Sequence, residues 1–395
     1  MDIGSKKPGG KKAPAPAPVK EEAKVPLPHP SMAFSLSKIA EGINKNDPGG
    51  ITSINDVIPV PRASTGVFAI DYQTGGGWLR GRVNIVWAKE GAGKSLLCYL
   101  TIAADQLVNP TKKQVIIDIE GRLDRDWVIS LMPRPENLLI ITPTTVEDAI
   151  DKAEAVMMAN DLSILVFDSI AMLITENELQ SEAGKAAVGG ASNPIGKLMR
   201  KITGRLNELK KLNRHPAIIL VNQVRTKIGV MHGNPDNQPG GNAPRFMSSL
   251  TLWLRGKNAQ EKGSAIVNWK ETVCVLHKWS TKVLALEAAY MVCTANIYDK
   301  DTGELFYKPG DIYEWPVVKS ELDRLGLFVK CTDERKGYLL MIFKEPRWYR
   351  VQDDMKEYFT APENKLEYLQ LKKALIEVAT VKTHGIPPKI EETGH

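Results

Sequence analysis

The sequence predicts an α/β fold in which a mostly parallel central sheet is flanked by helices. The first observation is a set of apolar, β-rich runs of nearly continuous hydrophobicity, which burial on both faces of a parallel sheet requires. These runs cover residues 83–87, 114–118, 164–168 and 217–221. The second observation is that helical stretches such as 95–107 and 194–212 lie between the runs, which produces repeated strand–helix–strand units. The third is a glycine-rich segment that directly follows the first run and opens a helix.

The composition is that of a soluble globular protein. Of the 395 residues, 43% are hydrophobic and 25% are charged, which excludes wholesale disorder and a disulfide-stapled mini-protein. The four cysteines lie far apart without a CxxC pair, a pattern that favours a reducing interior and predicts a cytoplasmic location. The apolar runs are too short to span a bilayer, so no membrane is expected. The net charge of +6 permits a polyanionic partner without requiring one.

Four regions are predicted along the chain. Residues 1–31 form a Lys/Pro-rich tail that we expect to be disordered, either as a solubilising extension or as a weak nucleic-acid tether. Residues 32–61 carry a short helix whose apolar stripe must be buried on the protein's own core or on a neighbouring subunit, which predicts an oligomerisation segment. Residues 62–297 form the α/β core. Residues 298–395 form a small α+β accessory domain that ends in a helix near 365–378.

Individual residues predict both the apolar stripe of the first helix and the point where this helix ends. Leu36, Ile39, Ala40 and Ile43 fall on one helical face, and the turn sequence 47–50 ends the helix.

A phosphate-binding loop is predicted between the first strand and the first core helix. Such a loop needs inward-turned backbone N–H groups, small residues and a helix N-terminus behind them. Lys94 would reach the β- and γ-phosphates, and the Ser95 hydroxyl would ligate Mg²⁺. Ala88 stands where the GxxxxGK[ST] pattern has glycine, which weakens the motif, and a glycine-rich turn before a helix is the alternative. The predicted nucleotide contacts here are Ala88, Lys89, Glu90, Gly91, Ala92, Gly93, Lys94 and Ser95.

Two further strands end in acidic residues. Ligands of parallel sheets bind beyond the carboxyl ends of the strands. Asp168 would therefore hold Mg²⁺ through water, and Glu120 could polarise the attacking water as a general base. Either acid alone is typical of a residue that caps a strand end. Because both occur with Lys94 and Ser95 in the same series of strand–helix–strand units, a role in nucleotide binding is favoured.

A segment further along the chain closely resembles the second DNA-binding loop of the bacterial RecA recombinases. The segment is 221–235, and Gly240, Gly241, Asn242 and Ala243 follow it. The match continues in the same order through 64–66, 71, 75–77, 80–83, 117–120, 123–124, 166–169 and 198–201. The resemblance covers roughly residues 62–255 and implies a RecA-type P-loop NTPase core. It is weak in the tail and in the last hundred residues, where phage strand-exchange proteins of the UvsX type also diverge, so the branch stays open.

The resemblance implies roles around the nucleotide. Glu120 resembles the catalytic glutamate, and Asp124 lies in a matching segment at the nucleotide site. Trp127 matches a position where an aromatic ring packs on adenine, with simple helix packing as the alternative. Gln223 resembles the glutamine that senses the γ-phosphate at the root of the DNA loop.

The resemblance also implies that ATP lies between adjacent subunits, with basic residues entering from the neighbour. The usual pair of lysines two residues apart reads here as His277 and Trp279. Lys278 is therefore our candidate for the substitute, and the departure puts the strength of subunit-coupled hydrolysis in doubt.

Basic and glycine-rich segments are predicted to bind DNA. Arg and Lys side chains and exposed backbone N–H groups bind phosphate oxygens, although a surface loop without a binding function would have the same composition. The resemblance implies that Arg200 and Arg225 contact phosphates while Val188 and Ile228 wedge between base triplets. The predicted contacts are Val188, Arg200, Arg225, Lys227, Ile228, Gly229, Gly240, Gly241, Asn242 and Arg245.

The function that this resemblance implies is ATP-dependent homologous recombination. ATP and Mg²⁺ would order a helical homo-oligomeric filament on single-stranded DNA, which pairs with homologous duplex DNA and exchanges strands in recombination and repair of damaged DNA. Hydrolysis by this DNA-dependent ATPase would reset the filament, and single-strand-binding and loading proteins are candidate partners. Two alternatives stay open: a ring-forming, helicase-type ATPase with the same core, and a filament accessory protein without strand-exchange activity.

Overall fold

A computed structural model describes most of the chain. The described residues are 35–173, 175, 192–226, 236–237, 242–259, 269–298, 305–331, 337–342, 347–349, 352–361 and 364–384. The predicted tail and the predicted DNA contacts Val188, Lys227, Ile228, Gly229, Gly240 and Gly241 lie outside them. The chain divides into two compact units, the first ending at Ile58 and the second beginning at Pro59.

The first unit contains the predicted helix. Helix α1 (Leu36–Asn46) begins after Ser35, whose hydroxyl accepts from the Lys38 N–H at 3.4 Å. It ends at Asp47, whose N–H donates to the Ile43 carbonyl at 2.8 Å. The helix buries none of its residues, and Leu36 is 84% exposed. Ile39, Ala40 and Ile43 of the predicted stripe are partly buried, and the oligomerisation role of this segment stays a prediction.

The second unit contains the remaining strands and helices. In chain order the strands are β1 (Arg62–Ala63), β2 (Trp78–Leu79), β3 (Val83–Ala88), β4 (Lys113–Asp118), β5 (Leu138–Ile141), β6 (Leu162–Asp168), β7 (Ala217–Gln223), β8 (Arg225–Thr226), β9 (Asp236–Asn237), β10 (Leu250–Ala259), β11 (Trp269–Trp279), β12 (Glu287–Cys293), β13 (Ile297–Tyr298), β14 (Leu305–Tyr307), β15 (Ile312–Tyr313), β16 (Phe328–Cys331), β17 (Gly337–Leu340) and β18 (Arg347–Tyr349). The helices are α2 (Phe68–Thr74), α3 (Lys94–Val108), α4 (Arg125–Leu131), α5 (Val146–Met157), α6 (Ser192–Lys211), α7 (Asn242–Met247), α8 (Trp315–Arg324), α9 (Gln352–Thr360) and α10 (Lys365–His384).

The central sheet is mostly parallel, as predicted. Its strand order is β15-β12-β11-β10-β3-β7-β6-β4-β5. The strands from β10 to β5 pair in parallel, whereas β11, β12 and β15 extend the sheet with antiparallel pairs. The four apolar runs are confirmed as β3, β4, β6 and β7, and the two helical stretches as α3 and α6. This order brings the carboxyl ends of β3, β7, β6 and β4 side by side.

The inner strands of the sheet are buried on both faces. Neighbouring residues of a strand point to opposite faces, so Val166 packs into one hydrophobic cluster and Phe167 into the other. Helices α2 and α3 contribute to the first cluster and helices α5 and α6 to the second. Burial on both faces explains the continuous hydrophobicity of the four runs and gives the loops at the strand ends a rigid support.

The region after residue 297 combines helices with short strands. Strands β16, β17 and β18 form an antiparallel sheet, while β15 pairs with β12 in the central sheet. A buried ion pair joins Lys372 to Glu314 at 2.8 Å, with the two side chains 8% and 7% exposed. The other carboxylate oxygen of Glu314 accepts from the N–H of Phe68 at the start of α2. The proposed division at residue 298 stays a prediction.

Candidate nucleotide and DNA site

The loop between β3 and α3 has the conformation that a phosphate-binding loop needs. Gly91 and Gly93 have φ angles of 69° and 93°, a region that L-residues other than glycine rarely adopt. Gly93 caps α3 without a side-chain hydrogen bond, so the helix N-terminus presents backbone N–H groups to an incoming anion. Ala88 does not have a positive φ, and its alanine side chain is buried in β3 without conformational cost. The departure from the glycine pattern therefore does not disturb the loop.

Lys94 lies inside this loop. Its Nζ donates to the carbonyls of Ala88 at 3.3 Å and Lys89 at 3.0 Å. Burial lowers the pKa of Lys94, and the nearby carboxylates of Asp168 and Glu120 counteract this shift. A buried ammonium group bound only to neutral carbonyls can gain by exchanging them for phosphate oxygens. Lys94 and the backbone of this loop thus fit the phosphates of a nucleoside triphosphate.

Ser95 and Asp168 lie together beside Lys94. The Ser95 side chain hydrogen-bonds Asp168, the last residue of β6. Burial raises the pKa of Asp168, and the hydrogen bond from Ser95 partly offsets that rise. Hydroxyl and carboxylate oxygens are the ligands that Mg²⁺ prefers in nucleotide sites, so this pair could hold the ion.

Glu120 connects the ends of three strands. It follows β4, and its Oε1 accepts from Ser169 Oγ and from Gln223 Nε2, each at 2.7 Å. Its Oε2 lies 3.9 Å from the guanidinium of the exposed Arg122. The Glu120 side chain is 19% exposed, so it is oriented by hydrogen bonds while one oxygen stays near solvent. Ser169 was not among the predicted site residues, because only the order of β4 and β6 in the sheet brings it to Glu120.

Gln223 ends β7 next to the start of the phosphate loop. Gln223 pairs with Ala88 across the parallel strands, and the N–H of Val224 donates to the Ala88 carbonyl at 3.1 Å. Beyond it, β8 pairs with β9, which brings together the two flanks of the predicted DNA-binding loop. The root of that loop and the phosphate loop are therefore neighbours.

Trp127 and Asp124 lie in and before helix α4. Asp124 caps this helix by accepting from the Trp127 N–H at 3.1 Å. The Trp127 indole donates to the Pro309 carbonyl at 3.3 Å and packs edge-on against Tyr99, with the ring centroids 5.7 Å apart. Trp127 thus makes packing contacts in this structure, and its role at adenine, like that of Asp124, stays a prediction.

The described basic residues of helix α6 differ in their partners. Arg200 is exposed, whereas Lys201 and Arg205 form ion pairs with Glu154 at 2.7 and 3.1 Å. Arg205 also pairs with Glu208 at 2.6 Å. Arg200 is consequently the best placed of these three to meet a backbone phosphate.

Lys278 and Arg245 lie near each other at the end of the DNA-loop segment. Lys278 Nζ donates to the carbonyls of Arg245 and Phe246 at 2.8 and 2.9 Å, so within one chain it caps α7. The Arg245 side chain is exposed. For Arg225 and Asn242 the structure describes the backbone, at β8 and at the start of α7. A role for Lys278 in a neighbouring subunit stays a prediction.

Comparison with known proteins identifies relatives of this chain. The model of the RecA N-terminal domain family matches residues 35–292. Protein RecA of Laribacter hongkongensis is 31% identical over 314 residues, which cover 78% of this chain and 82% of the relative. Protein RecA of Bdellovibrio bacteriovorus is 30% identical over 282 residues, 70% of each chain. Protein RecA of Halalkalibacterium halodurans is 32% identical over 282 residues, 70% of this chain and 75% of the relative. Along the described parts of the chain, none of the helices is both long and apolar enough to cross a membrane.

Proposed function

This chain belongs to the RecA family, and we infer from this membership that it is an ATP-dependent homologous recombinase. We propose that it hydrolyses ATP in a DNA-dependent manner, with Mg²⁺ as the metal. We further propose that it forms helical filaments on single-stranded DNA, pairs them with homologous duplex DNA and exchanges the strands. A cytoplasmic location is part of the proposal, supported by the four free thiols Cys98, Cys274, Cys293 and Cys331.

One observation carries this proposal furthest. The carboxylate of Glu120, beside the phosphate loop, is hydrogen-bonded to Gln223, from which the predicted DNA-binding segment departs. Binding or loss of the γ-phosphate would therefore change the position of Gln223 at the root of that segment. In the same way, DNA binding to the segment would change the position of the Glu120 carboxylate.

The residues of this chain would act by positioning and electrostatics. When bound, ATP with Mg²⁺ supplies the phosphoanhydride that is cleaved. Lys94 would leave the loop carbonyls to neutralise phosphate charge, and Ser95 with Asp168 would hold the metal. Glu120 would orient the attacking water through a carboxylate whose direction is fixed by Ser169 and Gln223.

The test compares Lys94→Ala with Lys112→Ala in ATPase and strand-exchange assays. Lys112 is an exposed lysine before β4, whose Nζ bonds the Asn160 carbonyl. We expect Lys94→Ala to abolish DNA-stimulated hydrolysis without changing the melting temperature, and Lys112→Ala to behave as the parent protein. An unchanged ATPase rate in Lys94→Ala would refute the phosphate site.

Electron microscopy with single-stranded DNA and a non-hydrolysable ATP analogue separates filaments from the closed hexamers of a ring-forming ATPase.

A further inference from the structure

Lys270 reaches the phosphate loop from a distant part of the chain. It lies on β11, two strands away from β3 in the central sheet. Its Nζ donates to the carbonyl of Gly91, at the tip of the loop, although 179 residues separate the two. No sequence pattern predicts this contact, because it depends on the antiparallel register of β10 and β11.

Gly256 leaves the space through which the Lys270 side chain passes. On β10, a Cβ added to Gly256 would lie 2.6 Å from Lys270 Cε and 3.1 Å from Lys270 Nζ. The same Cβ would lie 3.8 Å from Cα of Ala92, in the phosphate loop itself. Gly256 has no positive φ, so the backbone does not require glycine there. The absence of a side chain is instead what allows Lys270 to cross this strand to the loop.

The loop needs a restraint at this point. Gly91 has a φ of 69°, and a Cβ built on it meets no atom within 4 Å, so packing does not fix its backbone. In a planar trans peptide the carbonyl and the next N–H point in opposite directions. A cation on the Gly91 carbonyl therefore fixes the direction of the Ala92 N–H, one of the backbone donors available to a phosphate. Lys94 holds the carbonyls of Ala88 and Lys89, and Lys270 holds that of Gly91.

We propose that Lys270 is a positioning residue for nucleotide binding, which holds the tip of the phosphate loop from β11 through the gap at Gly256. The inference rests on the proposed nucleotide site and adds a residue to it. Lys270 acts on the loop backbone rather than on the γ-phosphate, so its loss should lower the affinities for ADP and ATP by the same factor. It also joins the phosphate loop directly to the strand that carries His277, Lys278 and Trp279.

The experiment measures the Kd of the full chain for Mg²⁺–ADP and Mg²⁺–ATPγS. For Lys270→Met we expect both values to rise by the same factor, roughly fivefold, the effect of one modest hydrogen bond. Lys112→Met, a lysine-to-methionine change remote from the loop, should leave both values unchanged. A rise for ATPγS alone would overturn the proposal, because it would mean that Lys270 contacts the γ-phosphate.

A double-mutant cycle with Gly256→Ala separates positioning from general destabilisation. The added methyl group displaces only the end of the flexible Lys270 side chain, so Gly256→Ala should weaken nucleotide binding in the parent protein. In the Lys270→Met background the same change should have no effect on either Kd. Additive effects, or nucleotide affinities in both single variants within twofold of the parent, would overturn the inference. If the parent protein itself binds neither nucleotide, the proposed function fails before any variant is compared.

Discussion

The side-chain amide of Gln223 donates a hydrogen bond of 2.7 Å to Oε1 of Glu120. The two residues are 103 positions apart and lie at the ends of β7 and β4, with β6 between them. Ser169, which follows β6, donates to the same oxygen, so three neighbouring strand ends meet at one carboxylate. Changes in this carboxylate's surroundings can therefore reach the start of the predicted DNA-binding segment without movement of the buried sheet.

Gln223→Ala should uncouple DNA binding from hydrolysis. The variant removes the hydrogen bond to Glu120 but leaves Lys94 and the loop backbone in place. We expect the DNA-stimulated kcat for ATP to fall at least about tenfold while KM for ATP changes less than about twofold. Steady-state ATPase assays with and without single-stranded DNA measure both quantities. Gln370→Ala, at an exposed position of α10, is the matched control. Full DNA stimulation in Gln223→Ala would contradict the proposed coupling.

Arg200→Ala should weaken DNA binding on all sequences alike. Arg200 is exposed, and each phosphate of a single strand that a protein neutralises contributes about 0.7 to the slope of log K against log salt concentration. We therefore expect the slope for a labelled single strand to fall by roughly 0.7, the value for one contact on a single strand. Arg205→Ala serves as the control on the same helix, since Arg205 already pairs with Glu154 and Glu208. An Arg200→Ala loss confined to particular sequences would be inconsistent with phosphate contact.

Asp71 should make the stability of the core depend on pH. Burial raises the pKa of Asp71 from 3.8 to about 6, although Ser64 and Thr65 donate to its carboxylate. The folded state thus binds this proton more tightly than the unfolded state. The contribution of Asp71 to stability consequently increases as the pH falls through 6, and it is smallest above neutral pH.

The measurement for Asp71 is urea unfolding of the parent protein and of Asp71→Asn at pH 7.5 and pH 5.0. The asparagine does not titrate, so any constant effect of the substitution cancels in the comparison. The difference in the free energy of unfolding between the two proteins should shift by about 1.4 kcal/mol in favour of the parent protein at the lower pH. A difference that is the same at both pH values would show that Asp71 titrates normally.

Much of this architecture follows from local sequence, and the exceptions have physical reasons. Strands β3, β4, β6 and β7 could be predicted because burial on both faces requires continuous apolar residues. Strand β5 is not among the predicted strands: its apolar run Leu138–Ile141 is only four residues long, and it lies at the edge of the sheet, where Leu139 and Ile140 are exposed. Strand β10 was missed because Arg255 and Gly256 interrupt its apolar pattern.

The candidate nucleotide site could likewise be predicted from the sequence only in part. Although their roles stay predictions, Lys94, Ser95, Glu120 and Asp168 could be proposed one by one from their places after an apolar run or in the glycine-rich loop, and Gln223 could be proposed from the resemblance. Their mutual contacts could not, since the lateral order of parallel strands is not encoded in any single strand. Ser169 and Lys270 join the site through strand order and register, which only the folded sheet defines.

The most direct test of nucleotide-controlled DNA binding is the affinity for labelled single-stranded oligo-dT, measured by fluorescence anisotropy with Mg²⁺–ATPγS and with Mg²⁺–ADP. A triphosphate that reaches Gln223 through Glu120 should favour the DNA-binding state, so we expect affinity at least about tenfold higher with ATPγS. Equal affinities with the two nucleotides would contradict the coupling between the phosphate loop and the DNA-binding segment.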